Sequence, residues 1–169
     1  MPTPPFTIEP LGKQDRDGFD SGSPELDAYL ARQAGQDQRR SVAACFLAIE
    51  TVTGVVAGFY TLSACHIHLD DLNEAARKKL PRYPVVPAVR LGRLAIDRRF
   101  QGRGLGSALI ADAAMRAMRS EIAAAFLVVE AKDETAAAFY RHFGFAPDPI
   151  EPLRLYASLA ALKASFGMS

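Results

Sequence analysis

The chain carries almost no net charge, two cysteines and no apolar run near the length a bilayer demands. Each shortage removes a class of protein. Formal charge is +1 over 169 residues, so overall charge argues neither for nor against a nucleic-acid partner. Cys45 and Cys65 stand in apolar surroundings, "AACFLAIE" and "LSACHIHL", which reads as two buried thiols rather than a disulfide. Neither begins a metal-spaced set. His66 and His68 share a strand face, but no third ligand lies nearby, so no metal is expected. No stretch approaches the roughly 20 apolar residues of a spanning helix. The opening "MPTPPFTIEP" has neither the basic start nor the apolar core of a secretory signal. Repeats, low-complexity tracts and linkers are lacking. The expectation is a soluble, cytoplasmic protein, a single domain over 1–169, with 49% hydrophobic residues to build an ordinary core.

What is present is unevenly spread. Residues 77–103 hold nine basic side chains (Arg77, Lys78, Lys79, Arg82, Arg90, Arg93, Arg98, Arg99 and Arg103) against one acid, Asp97. Such a concentrated field attracts a polyanion even on a near-neutral chain.

Periodicity and punctuation predict a mixed α/β protein. "FTIEPL" (6–11) reads as a first strand. A helix follows from Pro24, capped by Ser23, with Leu26, Tyr29 and Leu30 as its buried stripe and Gly35 as an interruption. Segments 42–50 and 54–69 read as an antiparallel pair across "TVTG", and 70–80 as a short amphipathic helix ended by "PRYPVVP". A strand over 88–97 leads to a helix whose Leu105, Leu109, Ala113 and Ala117 recur every four residues. Then come a strand (123–131), a helix capped by Asp133 with Phe139 and Phe143 on its core stripe, a stop at Gly144, and at least one final strand.

The stretch "RRFQGRGLGSALI" (98–110) sets three glycines at alternate positions between a strand and a helix. Backbone N–H groups in such a turn, with the helix dipole behind them, suit an anion. Gly102, Gly104 and Gly106 remove side chains where phosphate oxygens would approach, and Arg99 and Arg103 can add contacts from the rim. The Walker A pattern is missing here, and a dinucleotide G-x-G-x-x-G would need glycine where Ser107 stands. A glycine-rich turn serving only tight strand–helix packing is the alternative.

"QGRGLG" after a strand resembles the pyrophosphate loop of the GNAT superfamily of acetyl-CoA-dependent N-acetyltransferases, Q/R-x-x-G-x-G/A, matched by Gln101, Gly104 and Gly106. "RLGRLAID", "FLVVEAK" and "AAAFYRHFGF" follow in the order of that fold. The resemblance implies a central mixed β-sheet with splayed parallel strands, flanked by α-helices. It implies acetyl-CoA held by Arg99, Gln101, Gly102, Arg103, Gly104, Leu105, Gly106 and Ser107, with the pantetheine arm on backbone groups of Leu94, Ala95 and Ile96.

Transfer from a thioester needs a deprotonated amine, an oxyanion donor and a proton for the leaving sulfur. The resemblance gives the last role to Tyr140, which could otherwise be a core aromatic beside Phe139. The first splayed strand has no carboxylate for a base, and Glu130 on the second is a weak candidate. An acceptor that needs little help fits better: an α-amine titrates near 7.7–8.0, lysine near about 10.4.

"FDSGSPELDAYLARQAGQDQRR", "VAGFYTLSA" and "VRLGRLAIDRRFQGRGLG" together are similar to the GNAT toxins of bacterial toxin–antitoxin pairs. That resemblance implies acetylation of the α-amino group of aminoacyl-tRNA, a block of translation, a ribbon-helix-helix antitoxin and a homodimer. Arg77, Lys78, Lys79, Arg82, Arg90 and Arg93 are the tRNA candidates. Acceptor choice is expected near Phe59, Tyr60 and the loop before Val85. A small-molecule amine or a protein N-terminus as acceptor, or a silent coenzyme-A- or antitoxin-binding module, are the rival readings.

Overall fold

A computed structural model describes residues 2–168. The elements are β1 (Phe6–Pro10), α1 (Pro24–Ala28), a π-helical turn (Tyr29–Gln33), α2 (Ala34–Arg39), β2 (Ala44–Glu50), β3 (Val56–His68), α3 (Glu74–Lys78), β4 (Val85–Ile96), α4 (Leu105–Arg119), β5 (Phe126–Glu130), α5 (Glu134–His142), β6 (Ala146–Pro147), β7 (Arg154–Ser158) and α6 (Leu159–Ser165). The strands order as β1-β2-β3-β4-β5-β7-β6. The fold is the expected mixed α/β sheet with flanking helices. Two compact units divide the chain: residues up to Ser63 with Gly92–Ala113, and Ala64–Leu91 with residues from Ala114 on.

In the first unit β1 and β2 pair antiparallel from Phe6↔Glu50, and β2 and β3 pair from Ala44↔Leu62. Ser23 caps α1 by accepting the Leu26 N–H, as its position before Pro24 predicts. The break in the following helix differs from expectation. It is the π-helical turn at Tyr29–Gln33, while Gly35 lies inside α2. A Cβ at Gly35 would stand 3.3 Å from Arg39 Nη1, a spacing that the flexible Arg39 side chain can relieve by shifting. Tyr29, Leu30 and Leu47 join Phe59 and Ala95 in the core. Gly58 serves spacing: a Cβ there would meet Ile96 Cδ1 at 3.0 Å and the Ala95 carbonyl at 3.1 Å. On α4, Leu105, Leu109 and Ala113 are buried as the four-residue steps predict.

In the second unit β4 and β5 run parallel through Ala88↔Phe126 to Leu91↔Val129, and β7 pairs antiparallel with β5. β5 ends at Glu130, one residue past that last pair, whereas β4 runs on to Ile96. The helix expected over 70–80 is shorter. Leu72 is extended, and Asn73 caps α3 through the Ala76 N–H. Asp133 caps α5 as expected, and Gly144, with φ +95°, ends it. Ile67, Leu72, Val86, Phe126, Val128 and Tyr156 form this unit's core.

No helix among the described residues is long and apolar enough to cross a membrane. Cys45 is buried and Cys65 half-buried, both as free thiols. The His66 and His68 rings meet edge to face at 5.3 Å, and no group of three metal-ligating side chains converges among the described residues.

Candidate active site

β4 delivers the chain to Asp97, whose carboxylate caps a single 3₁₀ turn, Arg98–Phe100. Gln101 then turns extended, and α4 begins at Leu105. Gly102 and Gly104 adopt φ +79° and +77°, with nothing within 4 Å of where a Cβ would stand. Only glycine takes that conformation without strain, and the space before it is open. Gly106 differs from the expectation for it: it is the second residue of α4, a helical position. The loop therefore has two glycines in the left-handed region and a third in the helix's first turn. A fifteen-residue helix offers its free N–H groups to this space. An anion such as a pyrophosphate fits the turn.

The polar residues of the loop serve chiefly to build it. Gln101 Nε2 donates to the Ile96 carbonyl at 3.0 Å and to that of Ser21 at 3.2 Å, so its side chain shapes the turn. Arg99 is pinned to Asp97. Arg103 lies 3.9 Å from Glu50 and over the Phe100 ring. Leu105 and Ala95 are buried, and Leu94, Ile96 and Ser107 are half-buried. Their backbone groups, not their side chains, are what a ligand could use.

Two residues that sequence reasoning passed over organise this loop. Asp97, 1% exposed, accepts four hydrogen bonds: from the Arg99 N–H, Nε and Nη2, and from the Asp20 N–H. Burial pushes its carboxyl up, but these donors outweigh it and hold the group below the usual carboxylate range. Asp20 in turn accepts the Arg98 N–H on its carbonyl at 2.8 Å and pairs with Arg98 Nε at 3.3 Å. The "FDSG" segment is thus a strut beneath the glycine turn. A lone acid in a basic stretch was its signal.

Tyr140 lies in α5, in the second unit, and is 7% exposed. Burial alone pushes its hydroxyl up to about 12, so it holds its proton at neutral pH. Its ring packs edge-on against Phe139 and Phe145. The buried stripe of α5 runs through Ala137 and Tyr140, not through Phe139 and Phe143 as expected. Phe143 instead stacks on Phe166, which follows α6, and both Phe139 and Phe143 are half-buried.

The acceptor-side expectations fare unevenly. Phe59 and Tyr60 are fully buried. Phe59 packs on Phe19 and Tyr29, while Tyr60 stacks on Phe46 and donates to Asp112 at 2.5 Å. Both faces of β3 are covered there, which alternation alone does not reveal. Glu130 accepts from Arg90 Nη2 at 3.0 Å and Arg154 Nη2 at 3.2 Å, so both its oxygens are engaged. Arg93 stacks on the Tyr29 ring at 3.7 Å. Arg77, Lys79 and Arg82 are exposed without an ion pair among the described residues, and Lys78 has only an exposed partner, Glu74. These four lie along one segment of the second unit, whereas Arg93 belongs to the first.

A strand running into a glycine turn before a long helix, within this strand order, defines an acetyltransferase of the GNAT type. The profile described as "Acetyltransferase (GNAT) domain" matches residues 42–147, and the chain belongs to that family. Within it the chain is homologous to tRNA-acetylating toxins. A tRNA-acetylating toxin of Mycobacterium tuberculosis is 36% identical over 155 residues, 90% of this chain and 91% of that protein. The structure of AtaT complexed with acetyl-methionyl-tRNAfMet is similar with TM-score 0.83 at 30% identity, covering 95% of this chain and 99% of that one. A Tyr-to-Phe mutant of the AtaT toxin, bound to the C-terminus of the antitoxin AtaR and acetyl-CoA, gives TM-score 0.78 at 27% identity, covering 96% and 99%.

Proposed function

We propose that this chain, acting as one GNAT domain over residues 1–169, transfers acetyl from acetyl-CoA to the α-amino group of aminoacyl-tRNA and so blocks translation. The observation that carries this reading is the likeness to a tRNA-acetylating toxin along nine-tenths of the chain. In the same reading an antitoxin restrains the protein, as the antitoxin-bound relative suggests; the antitoxin's ribbon-helix-helix class and a toxin homodimer are what the family resemblance implies.

Acetyl-CoA, when bound, supplies an activated acyl group on sulfur. The chain's own residues do the rest. Gly102, Gly104 and the first turn of α4 present N–H groups to the donor's pyrophosphate. Arg99 has five N–H donors. Its Nε and one donor of Nη2 go to Asp97, which leaves Nη1 for the same anion. Backbone groups of Leu94, Ala95 and Ile96 hold the arm. Tyr140, kept protonated by burial, releases a proton to the leaving sulfur. Since Glu130 is engaged by two arginines, the acceptor arrives as a weakly basic α-amine that needs no strong base. Arg77, Lys78, Lys79 and Arg82 meet tRNA phosphates.

Labelled acetyl-CoA offered with charged tRNA, deacylated tRNA and lysine-rich peptide tests this. Label in charged tRNA alone, lost on ester hydrolysis, is expected. Label in peptide or small amines with none in charged tRNA would leave the acetyltransferase and discard the toxin.

A further inference from the structure

The second unit holds a polar pocket between Cys65, Arg90, Glu130 and Arg154. Register places its walls. Arg90 lies opposite Val128, Val128 opposite Tyr156, and Glu130 opposite Arg154. Alternate residues share a face, so Val128 and Glu130 of β5, and Arg154 and Tyr156 of β7, point the same way. Burial pushes the Cys65 thiol up, and Arg90, Arg154 and Glu130 all act on it electrostatically, which puts it beside them. The cavity they line measures about 180 Å³, with Asp71 on its border.

The chemistry at its mouth is specific. Glu130 takes Arg90 on one oxygen and Arg154 on the other, holding two guanidiniums side by side that would otherwise repel. Each guanidinium has five N–H donors in a planar fork; one from each goes to Glu130, and Arg154 also engages the Tyr156 hydroxyl. The remainder suit an anion with several oxygens. The three side chains are 45%, 40% and 41% exposed, so a ligand can reach them from solvent. Glu130 and Asp71 supply acceptors beside these donors. A free phosphate brings at most an O–H or two of its own, whereas a nucleotide adds the N–H groups of its base and the hydroxyls of its ribose to the phosphodiester. A cavity this small takes part of one nucleotide, not a duplex, and single-stranded ends are what proteins read one base at a time. Glu130 also ends β5, and the chain passes from it into α5, which carries Tyr140.

We infer that the Arg90–Glu130–Arg154 pocket seats the 3′-terminal nucleotide of the acceptor, its phosphodiester against the two guanidiniums. The inference rests on charged tRNA being the acceptor. It makes Arg154 a specificity residue for the nucleotide end and Glu130 the residue that positions both arginines.

The test compares charged tRNA with the ethyl ester of the same amino acid, which has the α-amine and no nucleotide. In R154Q and in R90Q the ratio of kcat/KM for charged tRNA to that for the ester should fall about tenfold or more, the scale of a charged hydrogen bond. A trinucleotide of the tRNA 3′ end should compete with charged tRNA in the unsubstituted protein and lose that ability in R154Q. A parallel fall with both acceptors, or an unchanged ratio with undiminished competition, overturns the pocket while the toxin reading stands. An unsubstituted enzyme that acetylates the ester but not charged tRNA overturns the acceptor reading, and the pocket with it.

Discussion

Asp97 and Arg99, two residues apart, form a two-point pair: Arg99 Nε donates to Oδ1 and Nη2 to Oδ2, each at 3.0 Å. The same carboxylate accepts the N–H groups of Arg99 and Asp20, so one buried acid ties the end of β4 to the segment before α1. If this pair positions the glycine turn, D97N should raise KM for acetyl-CoA by about tenfold and leave kcat within about twofold. Acetyl-pantetheine lacks the pyrophosphate and should show no such rise. An equal loss with both donors would mean that the scaffold, not the loop, had failed.

Tyr140→Phe should lower kcat by about 10²–10⁴, the range of a lost general acid. The melting temperature should hardly move, because the hydroxyl makes no hydrogen bond among the described residues. With the hydroxyl pushed up to about 12, the rate should show no loss from Tyr140 ionisation up to about pH 10. A steep fall near pH 8 that vanishes in the variant would contradict this.

Gly58→Ala tests strand spacing. The added carbon would stand 3.0 Å from Ile96 Cδ1 and 3.1 Å from the Ala95 carbonyl. Overpacking of this kind costs about 1–3 kcal/mol, or a Tm drop of roughly 2–10 °C. Acetyl-CoA affinity should fall as well, because the same crowding displaces the backbone proposed to hold the pantetheine arm. An alanine variant as stable and as tight as the parent would refute the close approach.

Acid should destabilise the fold through three carboxylates. Asp97 and Asp148 are pushed up by burial but held below their ordinary range by stronger hydrogen bonds. Asp37 is lowered chiefly by hydrogen bonds from Gln33 and Tyr29. A carboxyl depressed on folding adds stability that is complete above its unfolded value, about 3.9, and is lost as pH falls through the folded value. Tm should therefore be nearly flat from pH 7 to about 5 and drop below about pH 4, less steeply in D97N. Identical acid profiles for D97N and the parent would remove Asp97 from the account.

The basic segment predicts a salt signature. Replacing Arg77, Lys79 and Arg82 together by glutamine should weaken charged-tRNA binding at low salt. It should also flatten the salt slope by about two to three, roughly 0.7–0.9 for each phosphate that is no longer neutralised. An unchanged slope would make these residues ordinary solvated charge.

The local features were legible in the residues themselves. Ser23 and Asp133 as caps, the Leu105–Leu109–Ala113 stripe and the glycine turn before α4 follow from short-range geometry, which a sequence encodes directly. The family resemblance could be read for the same reason, since its signature is a contiguous loop. Pairings across long separations could not be read. Nothing near Asp20 announces that its backbone meets Asp97, nothing near Glu130 that two arginines from other strands close on it, and nothing near Phe59 and Tyr60 that both faces of β3 are covered. Those facts depend on which strands lie side by side and in what register. Register is set by the summed burial of whole faces, so only the tertiary structure decided whether a charged side chain became a strut, a paired wall or a free surface cation.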